Sequence, residues 1–225
     1  MLFTRTASEE ALQKDFSGAK NLKKDHRLSQ LFIDHARSIA RLSRIPLVVI
    51  TSSDQRGSTF GERFANAIQN VLERGYQNVI SIGNDCLSLS PSDLKLAKST
   101  LASGKPVVGQ STSGGAYLIG VSKKDFQQTT FEQLSWNSSN LFESLKKYFT
   151  DKSLRPLELS VKVDVNHSKE LSLALREIPV WFAIRKSLET ICFGFFTPLP
   201  KSERIESSFT SRIDLSRAPP STNLL

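Results

Sequence analysis

Two carboxylates and an amide stand just beyond apolar runs in this chain. Asp85 closes Ile80-Ser81-Ile82-Gly83-Asn84-Asp85-Cys86, while Asp164 and Asn166 follow the run at residues 157–163. In an open α/β sheet the carboxyl ends of the strands border the ligand crevice, so oxygen ligands placed there can act on a bound molecule. Donors from two separate strand ends suit a hard divalent cation, magnesium or manganese, held by one or two carboxylates together with ligand phosphates. Two further groups are expected at the same edge. Ser113-Gly114-Gly115 precedes another apolar run, and its double glycine lets the backbone come close to a ligand. Arg5 and Lys14 follow the first apolar run and offer positive charge to a phosphate.

Each of these residues has a local alternative. Asp85 can close an Asx turn, and Asp164 and Asn166 can shape the turn into the next helix. Arg63 either pairs with Glu62 or Asp54 on the surface or meets a ligand phosphate near a helix start. Trp136 and Tyr117 have the rings to stack on a base or sugar, but core packing ranks first for both. Cys86 reads as a small buried thiol with no base nearby. His26, His35 and His167 lack metal-ligand spacing, and no residue stands out as a general base.

Positioning these groups requires strands that end at one edge. Residues 2–4 supply a first strand, followed by a polar stretch through Lys24 read as loop or frayed helix. Leu31, Phe32, Ile39 and Leu42 recur at the helical period, giving a helix over about 25–43. Residues 47–51, LVVIT, form a continuous β-rich run of the kind buried on both faces of a central parallel strand. Phe60, Phe64, Ile68, Val71 and Leu72 mark a helix that Gly75 closes, and a strand follows over 78–83. Ser90-Pro91-Ser92-Asp93 is a capped helix start, and that helix is expected to end near Gly104. Strands are expected over 106–109 and 116–121, with a short helix opening at Lys123 and another capped by Ser138 or Ser139. Residues 157–163 alternate as an edge strand does, and a last core helix begins near Ser168. The order β-α-β-α-β-α-β-β implies an α/β fold with a mainly parallel, doubly wound sheet.

The 225 residues, 39% hydrophobic and 23% charged, suit one globular domain with a tail. Cys86 and Cys192 are the two cysteines, so neither a disulfide framework nor a zinc pair is expected, and a cytoplasmic location fits. Neither a signal peptide nor a transmembrane segment is expected; the most apolar stretch, 178–196, is interrupted by Arg185, Lys186 and Glu189. The net charge of +8 is spread thinly, without a basic stripe interleaved with aromatics, so no nucleic-acid partner is expected. The expected organisation is an α/β domain over 1–175, an amphipathic helical extension over 176–197 and a poorly ordered tail over 198–225.

Residues 57–89, GSTFGERFANAIQNVLERGYQNVISIGNDCLSL, resemble the core of a glycosyltransferase-like family of unknown function associated with radical-SAM and selenoprotein-domain proteins. That family typically reads GxxLGERMxxAF and then a strand ending GSDCPxL. The likeness continues through Ser90-Pro91-Ser92-Asp93-Leu94, through SGGAYLIG at 113–120 where the family has DGGYYLIGL, through Leu134-Ser135-Trp136, and into Val163-Asp164-Val165-Asn166. The resemblance implies a GT-A fold, that of nucleotide-diphospho-sugar transferases, with a three-layer α/β/α sandwich. It places Asp85 where the metal-binding aspartate stands and Asn166 where a second ligand stands, with Asp164 as the neighbouring carboxylate. Gly61, Glu62 and Arg63 match the family's GER. Two departures concern the site: Ser113 replaces an acidic residue before the double glycine, and Leu87 replaces a proline. A third concerns the phosphates, because residues 4–16 contain no glycine where nucleotidyltransferases of this fold carry a glycine-rich loop.

The resulting expectation is a metal-dependent glycosyl- or nucleotidyltransferase-like protein acting on a nucleotide-linked or phosphorylated small molecule, with glycosyl transfer ranked first. Asp85, Asp164 and Asn166 are the candidate metal ligands, and Arg5, Lys14, Arg63, Gly114 and Gly115 the candidate ligand-binding residues. The expected partners are a nucleotide or nucleotide sugar, a small-molecule acceptor, and a second copy of the chain through the C-terminal helix. The alternative is a non-catalytic ligand-binding or scaffold domain that retains the fold.

Overall fold

The apolar runs become six strands of one sheet: β1 (Leu2–Phe3), β2 (Val49–Ile50), β3 (Asn78–Ile82), β4 (Val107–Ser111), β5 (Ala116–Ser122) and β6 (Leu157–Lys162). Their spatial order is β2-β1-β3-β5-β4-β6. β1 pairs parallel with β2 and β3, β4 pairs parallel with β6, and β5 alone runs antiparallel to its neighbours β3 and β4. The structure, a computed structural model, describes residues 1–178 and 182–193, all within a unit spanning Met1–Phe195. The tail expected over 198–225 lies outside the described residues.

Among the described residues six α-helices lie between the strands, α1 (Ala7–Gln13), α2 (Leu22–Leu42), α3 (Phe60–Glu73), α4 (Pro91–Ala102), α5 (Gln128–Glu132) and α6 (Leu141–Thr150), and two follow β6, α7 (Ser168–Glu177) and α8 (Ala183–Phe193). α3, α5 and α6 bring Phe64, Ile68, Phe131, Leu145 and Phe149 onto one face of the sheet, against Val79, Val108 and Ile119. α2 and α4 cover the other face, packing Ala36, Ile39, Leu94 and Leu101 on Leu2, Ile82, Val107 and Leu118. Val107 and Val108 enter opposite layers because successive strand residues point to opposite faces. This is a three-layer α/β/α sandwich with a mainly parallel sheet.

The C-terminal helices pack on their own chain. Leu171 and Ala174 of α7 and Ile184 and Leu188 of α8 join Leu28 and Phe32 of α2 in a third cluster. Arg185 Nη1 donates to the Ile178 carbonyl oxygen at 2.6 Å, which ties α8 back towards the end of α7.

Four local expectations change. The run at 47–51 is an edge strand, not a central one, and only Val49 and Ile50 are paired. Its apolarity comes from covering helices: Val48 packs into one layer, Leu47 and Val49 into the other. The polar stretch after β1, expected as loop or frayed helix, holds the well-capped α1, started by Thr6 in a capping box with Glu9, and then a loop over 14–21. α5 begins at Gln128, after a turn over 123–125. The cap residue of α6 is Asn140, whereas Ser138 accepts from the Asn140 backbone N–H at 3.2 Å.

Candidate functional site

Parallel strands that enter from one side end on one edge, and a reversed strand begins there. The carboxyl ends of β1, β3 and β6 and the start of β5 therefore meet. Thr4 and Arg5 follow β1, Gly83 to Asp85 follow β3, Ser113 to Gly115 turn into β5, and Asp164 to Asn166 follow β6. After β6 the chain doubles back over the sheet edge, where the Val165 N–H donates to the Asp85 carbonyl oxygen at 2.9 Å. That backbone bond, with Leu87 packed in one cluster with Val163 and Val165, joins the two acidic segments. Thr4, Arg5, Gly83 to Asp85, Ser113, Gly115, Asp164 and Asn166, but not Gly114 or Val165, line a cavity of about 550 Å³, within the range of roughly 300–1,000 Å³ usual for small-molecule sites.

The positive charge arrives on α1. Glu10 and the C-cap residue Lys14 are four apart, so they share a face. Lys14 Nζ lies 3.3 Å from Asp85 Oδ2 and 3.6 Å from Glu10 Oε2, and Arg5 Nη1 lies 3.5 Å from Glu10 Oε1. A chain of alternating charge thus runs Arg5, Glu10, Lys14, Asp85 along the cavity. The Lys14 side chain is 14% exposed and that of Glu10 only 4%. Burial alone pulls the Lys14 ammonium's pKa down, but the Asp85 and Glu10 carboxylates outweigh it and hold the pKa above its ordinary value. α1 is fixed at both ends. Glu9 accepts from Ser52 Oγ at 2.6 Å and from Thr6, first the Ser52 and then the Thr6 bonds pulling its carboxyl down to about 2. At the other end the Ser168 N–H donates to the Asp15 carbonyl oxygen at 3.1 Å, docking the segment after α1 on the start of α7.

Asp164 Oδ2 accepts from Ser113 Oγ at 2.7 Å and from Asn166 Nδ2 at 3.2 Å. Ser113, where the resembling family carries an acid, therefore locks the turn before β5 to the end of β6; a carboxylate there would repel Asp164. Asp164 Oδ1 is buried without a hydrogen-bond partner, as are Glu10 Oε2, Ser81 Oγ and Asn84 Nδ2, and all four residues line the cavity. Buried polar atoms in native proteins almost always find hydrogen-bond partners, and these four exceptions belong to residues lining one cavity.

Every sequence-derived candidate except Gly114 lines this cavity. Gly114 has φ +86°, and a Cβ there would come within 2.1 Å of the Ser139 carbonyl oxygen, so it serves the turn. The three residues of the GER match divide by role. A Cβ on Gly61 would collide with the Glu132 carbonyl oxygen and the Trp136 ring, Glu62 accepts from the Ser58 and Thr59 N–H groups to cap α3, and Arg63 faces the cavity. Trp136, with Nε1 donating to the Phe131 carbonyl oxygen at 2.9 Å, joins Phe60 and Phe64 in an aromatic wall. Tyr117 lines the cavity but is buried, its hydroxyl donating to the Ser160 carbonyl oxygen. Burial pushes the Cys86 thiol up to about 12, which leaves it inert. His167 sits at the N-cap of α7, its backbone N–H bound to Glu170.

Glu10, Ser81, Asn84 and Gln55 are cavity residues that the sequence reading passed over. Glu10 was accessible through the Thr6-Ala7-Ser8-Glu9 capping signature, which predicts a helix and hence a shared face for Glu10 and Lys14. The other three carry no spacing signal. Among the described residues no cluster of three or more His, Cys, Asp or Glu could hold a metal ion. The oxygen set available is Asp85, Asp164 and Asn166.

Residues 20–138 match the model of a family described as "Uncharacterized protein conserved in bacteria (DUF2064)". The chain belongs to this family. The DUF2064 match includes Arg63, Asp85, Gly114 and Gly115, while Arg5, Lys14, Asp164 and Asn166 lie outside it. No curated protein gives a significant match. Among solved structures, a presumed nucleotide-diphospho-sugar transferase from Desulfovibrio desulfuricans G20 is similar with a TM-score of 0.69 and 19% identity, covering 84% of this chain and 91% of that one. Rv0371c from Mycobacterium tuberculosis H37Rv gives a TM-score of 0.46 at 14% identity, over 78% of this chain and 96% of its own. The fold of this DUF2064 protein is that of nucleotide-diphospho-sugar transferases, as the GT-A resemblance implied.

Proposed function

We propose that this protein is a metal-dependent transferase, of glycosyl rather than nucleotidyl groups, acting on a nucleotide-linked or phosphorylated small molecule. The observation that carries the reading is the cavity itself. Arg5, Lys14 and Arg63 line it together with Asp85, Asp164 and Asn166, and several of its residues carry buried polar atoms with no hydrogen-bond partner in the protein, Asp164 Oδ1 among them. The fold supports the same class, and α1 in place of a glycine-rich loop argues against wrapping a triphosphate.

The donor set fits magnesium or manganese. It is oxygen-only, and the buried Asp164 Oδ1 has no partner inside the protein. Asp85, Asp164 and Asn166 would hold the ion, which when bound supplies charge neutralisation to a diphosphate leaving group. The protein's own residues do the remaining work. Arg5, Lys14 and Arg63 bind and orient phosphate oxygens, and the aromatic wall of Phe60, Phe64 and Trp136 shields one side from water. Ser113 and Asn166 hold the Asp164 carboxylate in place through Oδ2, while the buried Oδ1 has no hydrogen-bond partner in the protein.

One observation favours the alternative, a non-catalytic ligand-binding domain: Asp85 already has an ammonium partner at 3.3 Å. Calorimetry with nucleotides and nucleotide sugars, with and without manganese, separates the two. The transferase reading predicts metal-dependent binding that Asp85→Ala abolishes; binding indifferent to metal and to Asp85→Ala supports the alternative, and no binding across the panel sinks the transferase. Self-association through the C-terminal helix is a separate proposal, tested by light scattering on the full chain.

A further inference from the structure

Lys14 reaches two carboxylates from one position. Its ammonium is 3.3 Å from Asp85 Oδ2, on the cavity side, and 3.6 Å from Glu10 Oε2, which is buried and accepts no hydrogen bond. Asp85 is thus already compensated by a cation belonging to the chain. A divalent ion arriving alone must compete with a tethered ammonium for the same oxygen. Lys14, however, loses little by leaving Asp85, because Glu10 still neutralises it and a ligand phosphate in the cavity would offer it stronger partners.

We propose, building on the transferase reading above, that Lys14 is a resident counter-cation that blocks Asp85 to divalent metal until an anionic ligand draws the ammonium away. Metal and phosphorylated ligand then bind together: each raises the affinity of the other, and the coupling is reciprocal because both act on one equilibrium, the position of Lys14. Glu10 is the positioning residue of this exchange. It holds the displaced ammonium beside the cavity, and its other oxygen keeps Arg5 there as well. The arrangement disfavours a metal-loaded site with no ligand phosphate in place, the state in which water could take up the open coordination positions.

The test measures manganese binding by electron paramagnetic resonance and calorimetry on the full chain, with the ion alone and with ADP, CDP, GDP or UDP. Lys14→Met keeps the apolar stem and removes the charge; it is expected to tighten binding of manganese alone by about tenfold and to shrink the coupling to the nucleotide. Glu10→Gln deprives Lys14 of its second partner and is expected to shift manganese affinity the opposite way, which preserves the test if Lys14→Met fails to fold. Manganese binding to Lys14→Met that equals or falls below wild type, while wild type binds manganese with nucleotide, overturns the exchange and leaves the transferase reading standing. Failure of every form to bind manganese with any nucleotide overturns both.

Discussion

Lys14 and Glu10 show how a site can be assembled from residues whose individual types say little. A lysine after an apolar strand is a common surface residue; placed four positions after a buried glutamate and opposite a strand-end aspartate, it becomes part of a charge relay. The place of Asp85, Asp164 and Asn166 along one cavity was legible because residues just beyond strand ends in an α/β sheet border the crevice. Ser81 and Asn84 were not, because serine and asparagine near a strand end are ordinary until their burial is known. His35 carries a different kind of prediction. Its Nε2–H donates to the Leu87 carbonyl oxygen at 3.1 Å, and burial pushes its pKa below the ordinary value, the hydrogen bond opposing this only in part. The unfolded chain takes up a proton near pH 6.5 and the folded one only at lower pH, so the stability contributed is complete above about pH 6.5 and falls as pH drops below it. Urea midpoints at pH 7.5 and 5.5 should fall further in the wild type than in His35→Gln; equal falls would contradict this assignment.

α1 stands where nucleotidyltransferases of this fold carry a glycine-rich loop, and Thr6-Ala7-Ser8-Glu9 spells the capping box that starts it. The edge placement of β2 was hidden: LVVIT is apolar because helices cover both faces, and a pattern of burial does not reveal whether a strand lies on the outer side. α3 was read correctly, and its Gly61 yields a test. A Cβ there would lie 2.1 Å from the Glu132 carbonyl oxygen and 2.6 Å from Trp136 Cδ1, and backbone cannot swing aside as a flexible side chain can. Gly61→Ala should therefore destabilise the fold by about 1–3 kcal/mol, as overpacking does, with the aromatic wall disturbed. Chemical denaturation measures the first and Trp136 fluorescence, read in a Trp181→Phe background, the second; an unchanged midpoint and spectrum would show that α3 and α5 separate freely at this point.

The molecule as a whole brings Arg5, Asp85 and Asp164 to one cavity although some 80 residues separate each from the next. Alternation of strands and helices predicts that convergence, since parallel strands share a carboxyl edge. What alternation does not predict is the order β2-β1-β3-β5-β4-β6 or the return of the chain over the edge after β6, because both depend on packing between distant segments. No helix among the described residues is long and apolar enough to cross a membrane. In the proposed function the cavity holds a divalent cation and a ligand phosphate together at the strand ends. Anomalous diffraction from crystals grown with manganese and a nucleoside diphosphate decides this. A manganese peak among Asp85, Asp164 and Asn166, with Lys14 moved from Asp85 towards the phosphates, is the predicted result. Nucleotide seated in the cavity without manganese at those oxygens, or seated elsewhere on the protein, would contradict it.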